Sequence, residues 1–190
     1  MISIIGGTKK RTNLSVPNNN VRPTSVHKRE AIFSIIENYG LKMNFNIYKN
    51  ANVLDLFAGS GALGLEAISR GSAFGYFYEN NTEIEKNLKK NCLKIFKKNN
   101  FKIKHENILE SNFKDIDKKI ALVFIDPPYK INPFEKILIN INEAKILSNN
   151  AIIVLECSIK SKIKIPPYFY CLSERNYGKT KIFYLINNFN

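Results

Sequence analysis

Short apolar, β-rich runs recur along the 190-residue chain, and segments with helical spacing lie between most of them. This alternation predicts βαβ units and a parallel sheet that is buried on both faces. Two of the runs, 122–125 and 152–155, are continuously apolar, as is typical of central strands. The predicted strands are Val53–Phe57, Phe74–Tyr78, Lys102–His105, Ala121–Ile125, Ile152–Glu156 and Ile182–Ile186.

The two ends of the chain depart from this alternation. Ahead of the first strand, Thr24 or Ser25 can cap a helix that runs toward Gly40. Near the other end, two extended runs, 168–175 and 180–186, are joined by a turn, which is typical of a hairpin. We therefore predict an α/β fold with a mostly parallel seven-stranded sheet that ends in an antiparallel hairpin.

A short N-terminal extension precedes this core. The first twenty or so residues are expected to lie outside the core as an extended arm with a basic tip, formed by Lys9, Lys10 and Arg11. The length suits one domain. We therefore predict a single domain over 1–190, of which the basic extension, 1–22, is a part.

Charge indicates the kind of partner. Lys and Arg total 29 against 16 Asp and Glu, a formal net charge of +13 that suits a polyanion. A general enrichment in Lys, Asn and Ile is the alternative source of this excess. Cys92, Cys157 and Cys171 lack metal or disulfide spacing, and no metal is expected. Without a spanning-length apolar run or a signal-peptide pattern, we expect a soluble cytoplasmic protein with reduced thiols.

A glycine loop follows the first predicted strand. Gly59, Gly61 and Gly64 satisfy the G-x-G-x-x-G spacing of dinucleotide-binding turns. Asp55 precedes the loop near the carboxyl end of the strand, where an acid would repel a pyrophosphate. The same acid suits the ammonium group of a methionine moiety, and glycine lets the backbone approach a ligand closely. The loop therefore favours S-adenosylmethionine, a sulfonium cofactor without phosphate.

Candidate ribose and adenine contacts follow the next two strands. Glu79 comes about 20 residues after Gly59, the spacing at which a carboxylate binds ribose hydroxyls. Asn107 and Ile108 follow the third strand, where an amide and an apolar side chain can hold adenine. The alternative for Glu79 is a surface carboxylate at a strand end.

The tetrapeptide Asp126-Pro127-Pro128-Tyr129 ends an apolar strand and is the most specific motif in the chain. Open α/β sheets bind ligands at this edge, and the prolines stiffen the turn. An exocyclic nucleobase amine is a poor nucleophile because its lone pair is delocalised into the ring. Asp126 and the Pro127 carbonyl can accept its two N–H hydrogens and orient the nitrogen, while Tyr129 can stack on the extruded base. The alternative is a rigid turn with a solvated Asp.

Segment 55–67 and the tetrapeptide together resemble the bacterial family that methylates N2 of a guanine in 16S ribosomal RNA. The resemblance covers essentially the whole chain. Further matches are Ile4–Gly7, Arg22–Thr24, Arg29–Ala31 with Phe33, and Tyr177, Gly178 and Thr180.

The resemblance implies a Rossmann-like class I methyltransferase fold and S-adenosylmethionine as cofactor. It also implies a 16S rRNA substrate, which we expect to lie within an assembling small ribosomal subunit. The sequence offers no clear oligomer interface, so a monomer is the default expectation. The catalytic candidates are Asp126, Pro127, Pro128 and Tyr129. The cofactor candidates are Asp55, Phe57, Gly59, Gly61, Glu79, Asn107, Ile108 and Thr24. The candidate RNA contacts, which precede the catalytic core, are Lys9, Lys10, Arg11, Arg22 and Arg29.

The chain departs from the family at two places. Members often carry an acid and an Arg in the first helix, where Val26, His27 and Lys28 stand here. An Asp is common where Asn107 stands, although an Asn carbonyl can still accept from the adenine amine. These changes affect expected RNA and adenine contacts more than the reaction class. The lysines spaced along 86–98 are interpreted as a solvated helix face.

Three other functions are compatible with parts of the pattern. The nearest is an amino-methyltransferase acting on adenine or cytosine in DNA or another RNA, but the chain has no room for a target-recognition domain. A nicotinamide-dependent dehydrogenase would use the glycine loop, which Asp55 and the Asp126 tetrapeptide disfavour. A non-catalytic RNA-binding protein on the same scaffold would not need Asp55, Glu79 and Asp126.

Overall fold

A computed structural model describes residues 2–16, 25–96, 100–128 and 131–187. Two short strands, β1 (Ile2–Ser3) and β2 (Asn13–Leu14), pair with each other near the N-terminus. Seven further strands form one sheet. They are β3 (Asn52–Leu56), β4 (Phe74–Tyr78), β5 (Phe101–Lys104), β6 (Ile120–Ile125), β7 (Leu147–Ser158), β8 (Phe169–Tyr177) and β9 (Thr180–Asn187).

The strands of the sheet lie in the order β5-β4-β3-β6-β7-β9-β8. The first five in this order are parallel, whereas β9 pairs antiparallel with both β7 and β8. The predicted parallel sheet with a C-terminal antiparallel hairpin is therefore confirmed. The chain order reverses at β3, because β4 lies on one side of it and β6 on the other. Open α/β sheets bind ligands at such a switch point, beyond the carboxyl ends of the strands.

Four helices are described: α1 (Val26–Lys42), α2 (Ala62–Ser69), α3 (Thr82–Ile95) and α4 (Phe134–Glu143). The predicted cap of the first helix is confirmed at Ser25, whose Oγ accepts a hydrogen bond from the Lys28 N–H at 3.3 Å. Within the described ranges, none of the helices is long and apolar enough to cross a membrane.

The two faces of the sheet are covered by different helices, and these show toward which face each strand side chain points. Val53 of β3 and Phe124 of β6 pack in one cluster with side chains of α1 and α2. Their neighbours Leu54 and Ile125 pack on the opposite face with side chains of α4. Because strand residues alternate between faces, Asp55 points to the α2 side.

The N-terminal hairpin belongs to the core, so the expectation that the first twenty residues lie outside it is wrong for residues 2–16. Ile2, Ile4 and Leu14 are buried in one cluster with side chains of α2 and α3. Two-residue strands carry too little periodicity to be recognised as strands in the sequence. The carboxylate of Glu66, which is fully buried on α2, accepts the N–H groups of Ile5 and Gly6, both at 2.7 Å.

Candidate active site at the carboxyl edge of the sheet

The loop between β3 and α2 leaves the sheet one residue earlier than predicted. Phe57 was expected to end the strand, but β3 ends at Leu56. Phe57 has φ of 62°, and Gly59 and Gly61 have φ of 56° and 77°. A phenylalanine in the left-handed region is uncommon, and such backbone strain is concentrated at functional sites.

This loop is held from two sides. The Ala58 N–H donates to the carbonyl of Tyr78 at 2.9 Å, and the Gly61 N–H donates to the Ala58 carbonyl at 2.7 Å. A Cβ on Gly61 would lie 2.6 Å from Leu88 Cδ1. Gly61 is therefore required by the turn and by packing against α3, independently of any ligand.

Asp55 is the buried acid of the site. Only 3% of the residue is exposed, and Oδ2 accepts the Gly64 N–H at 2.9 Å. Burial raises the pKa of Asp55 to about 8, the Gly64 N–H opposes the shift, and the charges of Asp126 and Glu79 add to it. The influence of Asp126 and Glu79 on this pKa means that three predicted carboxylates lie close together.

Glu79 follows β4 directly and is nearly buried. Its Oε2 accepts the Gly59 N–H at 3.1 Å, and its Oε1 accepts the Asn81 N–H at 2.9 Å. The predicted ribose ligand therefore also fixes the glycine loop. A carboxylate offers about four acceptor positions, so two N–H bonds leave capacity for two ribose hydroxyls.

The predicted adenine contacts follow β5. Ile108 is buried, with 3% of the residue exposed. Asn107 is exposed, its Oδ1 accepts the Leu109 N–H at 3.2 Å, and its Nδ2 donates to Glu110 Oε1 at 2.8 Å. The Asn107 carbonyl that was predicted to bind the adenine amine is therefore already used in a local turn, although it keeps a second lone pair.

The predicted catalytic motif follows β6. Asp126 is half-buried, Pro127 is buried and Pro128 is exposed, while Tyr129 lies outside the described residues. Asp55 on β3 pairs in register with Phe124 on β6. Asp126 comes two residues after Phe124, so the alternation of β6 places it on the same face as Asp55, one step further toward the edge.

The sequence-based reasoning missed one charged pair near this edge. Lys28, in the first turn of α1, donates from Nζ to Glu156 Oε1 near the carboxyl end of β7. The side chains of Lys28 and Glu156 are 14% and 5% exposed. The signal that could have found the pair is Glu156 itself, a charge that ends the apolar run 152–155.

The predicted RNA contacts divide into two groups. Lys9, Lys10 and Arg11 are exposed at the turn of the N-terminal hairpin, which confirms the basic tip. The Lys9 N–H donates to Ser69 Oγ at 2.9 Å, so this turn lies at the end of α2 remote from the glycine loop. The length of α2 separates the turn of the N-terminal hairpin from the glycine loop by about 10 Å. The tip is therefore not beside the catalytic edge.

Arg29 differs from these three exposed residues, and the prediction that it contacts RNA is wrong. The residue is fully buried, and its Nη1 donates to the Ser3 carbonyl at 3.0 Å, so it attaches the N-terminal hairpin to α1. Arg22 and the predicted cofactor residue Thr24 lie outside the described residues. Among the residues that are described, no cluster of three or more His, Cys, Asp or Glu could hold a metal ion.

Comparison with known proteins adds independent findings. The family model described as Conserved hypothetical protein 95 matches residues 2–186. The chain is 36% identical to Ribosomal RNA small subunit methyltransferase D of Buchnera aphidicola, over 87% of this chain and 82% of that protein. It is 30% identical to the Escherichia coli protein of the same name, over 87% and 79%. The solved structure of yhhF from Escherichia coli superimposes with a TM-score of 0.81 at 27% identity, covering 98% and 97% of the two chains.

Proposed function

The chain belongs to the family described as Conserved hypothetical protein 95, and from that premise we propose that it methylates the N2 amine of a guanine in small-subunit ribosomal RNA. The methyl donor is S-adenosylmethionine. The Buchnera and Escherichia coli relatives are ribosomal RNA small subunit methyltransferases by name. The fold is the Rossmann-like class I methyltransferase fold that the resemblance implied.

The convergence of Asp55 and Asp126 is the observation that carries the proposal. Asp55 lies in β3 and Asp126 directly follows the adjacent strand β6 on the same face of the sheet, and the charge of Asp126 raises the pKa of Asp55. A buried acid of this kind becomes ionised next to a cationic ligand, whereas the phosphates of a dinucleotide would supply no positive charge to favour its ionised form. The dehydrogenase alternative is therefore disfavoured by the same geometry that favours a methionine-derived cofactor.

Three of the described cofactor candidates have roles that fit their positions. Asp55 receives the ammonium group, and Glu79 accepts from the ribose hydroxyls while it holds the Gly59 N–H. Ile108 offers an apolar surface to the adenine ring. When bound, S-adenosylmethionine supplies an electrophilic methyl group on a sulfonium centre.

Asp126 and Pro127 act on the acceptor. The Asp126 carboxylate and the Pro127 carbonyl accept the two N–H hydrogens of the guanine amine and turn its lone pair toward the methyl group. This arrangement contributes orientation and electrostatic stabilisation as the C–N bond forms. The alkylated nitrogen becomes acidic and then loses a proton, so Asp126 need not be a strong base.

The substrate is proposed to be 16S rRNA in an assembling small subunit. The net charge of +13 suits a polyanionic partner, and the exposed basic tip at Lys9, Lys10 and Arg11 offers phosphate contacts away from the extruded base. Methylation of a nucleobase needs the base to leave its stack, and a structured RNA can present it already unstacked. The site of action is proposed to be the cytoplasm, with the protein as a monomer.

The test is methyl transfer from labelled S-adenosylmethionine to naked 16S RNA, to small subunits lacking the modification, and to duplex DNA. We expect label in N2-methylguanine of RNA or subunits, and its loss in Asp126→Ala with cofactor affinity retained. Glu174→Ala, on the distant β8 strand, is the control and should match the wild type. Label in DNA alone would refute the RNA substrate. Cofactor binding without transfer to any acceptor would favour a non-catalytic RNA-binding protein.

A further inference from the structure

The buried pair of Lys28 and Glu156 joins α1 to the carboxyl end of β7. The Nζ of Lys28 donates to Glu156 Oε1, and both side chains are largely removed from solvent. Elsewhere α1 packs on the sheet through apolar residues such as Ile32, Phe33 and Ile36. A buried ion pair often stabilises a protein no more than an apolar pair of similar volume, because both charges lose their hydration. Packing alone therefore does not require charges here.

The register of the sheet places Glu156 beside the proposed catalytic acid. Ile125 of β6 pairs with Leu155 of β7, so Asp126 and Glu156 are the next residues on neighbouring parallel strands. Neighbouring strands lie about 4.8 Å apart. Val154 and Phe124 share the face covered by α1, and the alternation of the strands puts Glu156 and Asp126 on that face too.

Three polar groups therefore lie together at this edge: the acceptor Asp126, the acceptor Glu156 and the donor Lys28, which is bound to Glu156. The Watson–Crick edge of guanine offers the complementary groups, with the N2 amine and N1–H as donors and O6 as acceptor. Adenine offers a C–H, the acceptor N1 and an amine donor, which would face these groups with like polarity. A Lys ammonium has three N–H donors, so Lys28 can bind Glu156 and O6 together.

We infer that Lys28 and Glu156 select guanine as the target base, with Glu156 accepting N1–H and Lys28 donating to O6 while Asp126 holds the N2 amine. This inference rests on the proposed function, since it assigns the specificity of the same site. It also gives Lys28 a role at a position where the chain departs from the family. The resemblance does not assign such a role to either residue.

The test compares two RNA substrates that both carry the reacting amine. The modified nucleotide is first located by mass spectrometry of digested RNA. Small subunits are then assembled from 16S RNA in which that position holds either guanosine or 2-aminopurine riboside, which keeps N2 but lacks N1–H and O6. The readout is the ratio of kcat/KM for guanine to that for 2-aminopurine. The variants are the double Lys28→Met/Glu156→Leu, which leaves no unpaired charge, and the shape-preserving Glu156→Gln.

The control is the double Lys181→Met/Glu174→Leu, which removes the ion pair between β8 and β9. We expect wild type and control to prefer guanine by roughly 10-fold to 100-fold, as two base-edge hydrogen bonds allow. The preference should fall at least about fivefold in the Lys28/Glu156 double variant. If that variant does not fold, Glu156→Gln should still lower the preference, because its amide can turn a donor toward N1–H.

The outcomes separate the inference from the proposed function. An unchanged ratio with equally reduced rates on both substrates would mean that the pair only fixes α1, and would overturn the inference. A wild type that does not distinguish the two bases would overturn it as well. A wild type that methylates no guanine would instead overturn the proposed function itself.

Discussion

The raised pKa of Asp55 makes the stability of the protein depend on pH. Burial raises the pKa of this residue to about 8, with the charges of Asp126 and Glu79 adding to the shift against the opposing Gly64 N–H. In an unfolded chain an Asp titrates near pH 4. At pH 7 the native state therefore holds a proton that the unfolded chain has lost. A rise in pH from about 4 to about 8 must then destabilise the native state through this group.

The size of this effect follows from the same shift. Between these two pKa values, each pH unit lowers the free energy of unfolding by up to about 1.4 kcal/mol, and the total at pH 7 is on the order of 4 kcal/mol. Asp55→Asn removes the titration while the amide oxygen still accepts the Gly64 N–H. We expect the stability of the variant relative to wild type to grow as pH rises from 5 to 8.

Urea unfolding at several pH values measures this difference. Glu174→Gln, an exposed substitution on β8, is the control and should give a difference that does not depend on pH. If the stability of Asp55→Asn relative to wild type also did not depend on pH, the assignment of a raised pKa to Asp55 would be refuted. The loss of the Asp55 carboxyl is the only change in that variant that removes a titrating group.

The same proton links stability to cofactor binding. The ammonium group of S-adenosylhomocysteine, placed next to Asp55, favours the ionised carboxylate and lowers its pKa. Binding at pH 7 should then release about 0.9 proton per site, the fraction of Asp55 that is protonated in the free protein. Calorimetry in two buffers of different ionisation enthalpy measures this number. Binding without proton release in the wild type would place the ammonium group away from Asp55.

Three further substitutions test the scaffold and the ribose contact. Glu66→Ala should lower the free energy of unfolding by about 2–5 kcal/mol, because it leaves two backbone N–H groups without their buried acceptor and leaves Arg70 with Glu37 as its remaining carboxylate partner. Calorimetry should show a melting temperature lower by about 10 °C. Gly64→Ala puts a Cβ 2.5 Å from Phe77 Cε1 and should cost about 1–3 kcal/mol in urea unfolding. Glu79→Ala should weaken S-adenosylhomocysteine binding about tenfold or more by loss of charge-assisted hydrogen bonds, and unchanged affinity would contradict its role.

The fold and the core of the site could be predicted because both depend on local patterns. Apolar runs of strand length fix the sheet, and residues that follow parallel strands must meet at one edge. For that reason Asp55, Glu79 and Asp126 were recognised from their positions at the carboxyl ends of three strands. The effect of the Asp126 and Glu79 charges on the pKa of Asp55 agrees with this reasoning.

Other features depend on contacts between distant segments, which no local pattern reveals. Arg29 looked like a surface cation beside other basic residues, yet its side chain is buried against Ser3. The N-terminal hairpin depends on Glu66, which lies 60 residues away in sequence from Gly6. The pairing of Lys28 with Glu156 spans 128 residues. A charged residue in the sequence does not indicate whether its partner is solvent, RNA or a buried counter-charge.

The positions of the acids suggest how cofactor and substrate binding are coupled. Asp55, Asp126 and Glu156 lie at the carboxyl ends of the adjacent strands β3, β6 and β7 and face the same side, and the charge of Asp126 disfavours the ionisation of Asp55. A ligand with an ammonium and a sulfonium group brings two positive charges to this edge, next to the Asp126 carboxylate that is proposed to accept the guanine amine. Methyl transfer then moves the positive charge from sulfur to the acceptor nitrogen, next to Asp126, until the proton leaves. We therefore expect the cofactor to increase RNA affinity at this edge, and S-adenosylhomocysteine, which lacks the sulfonium charge, to increase it less.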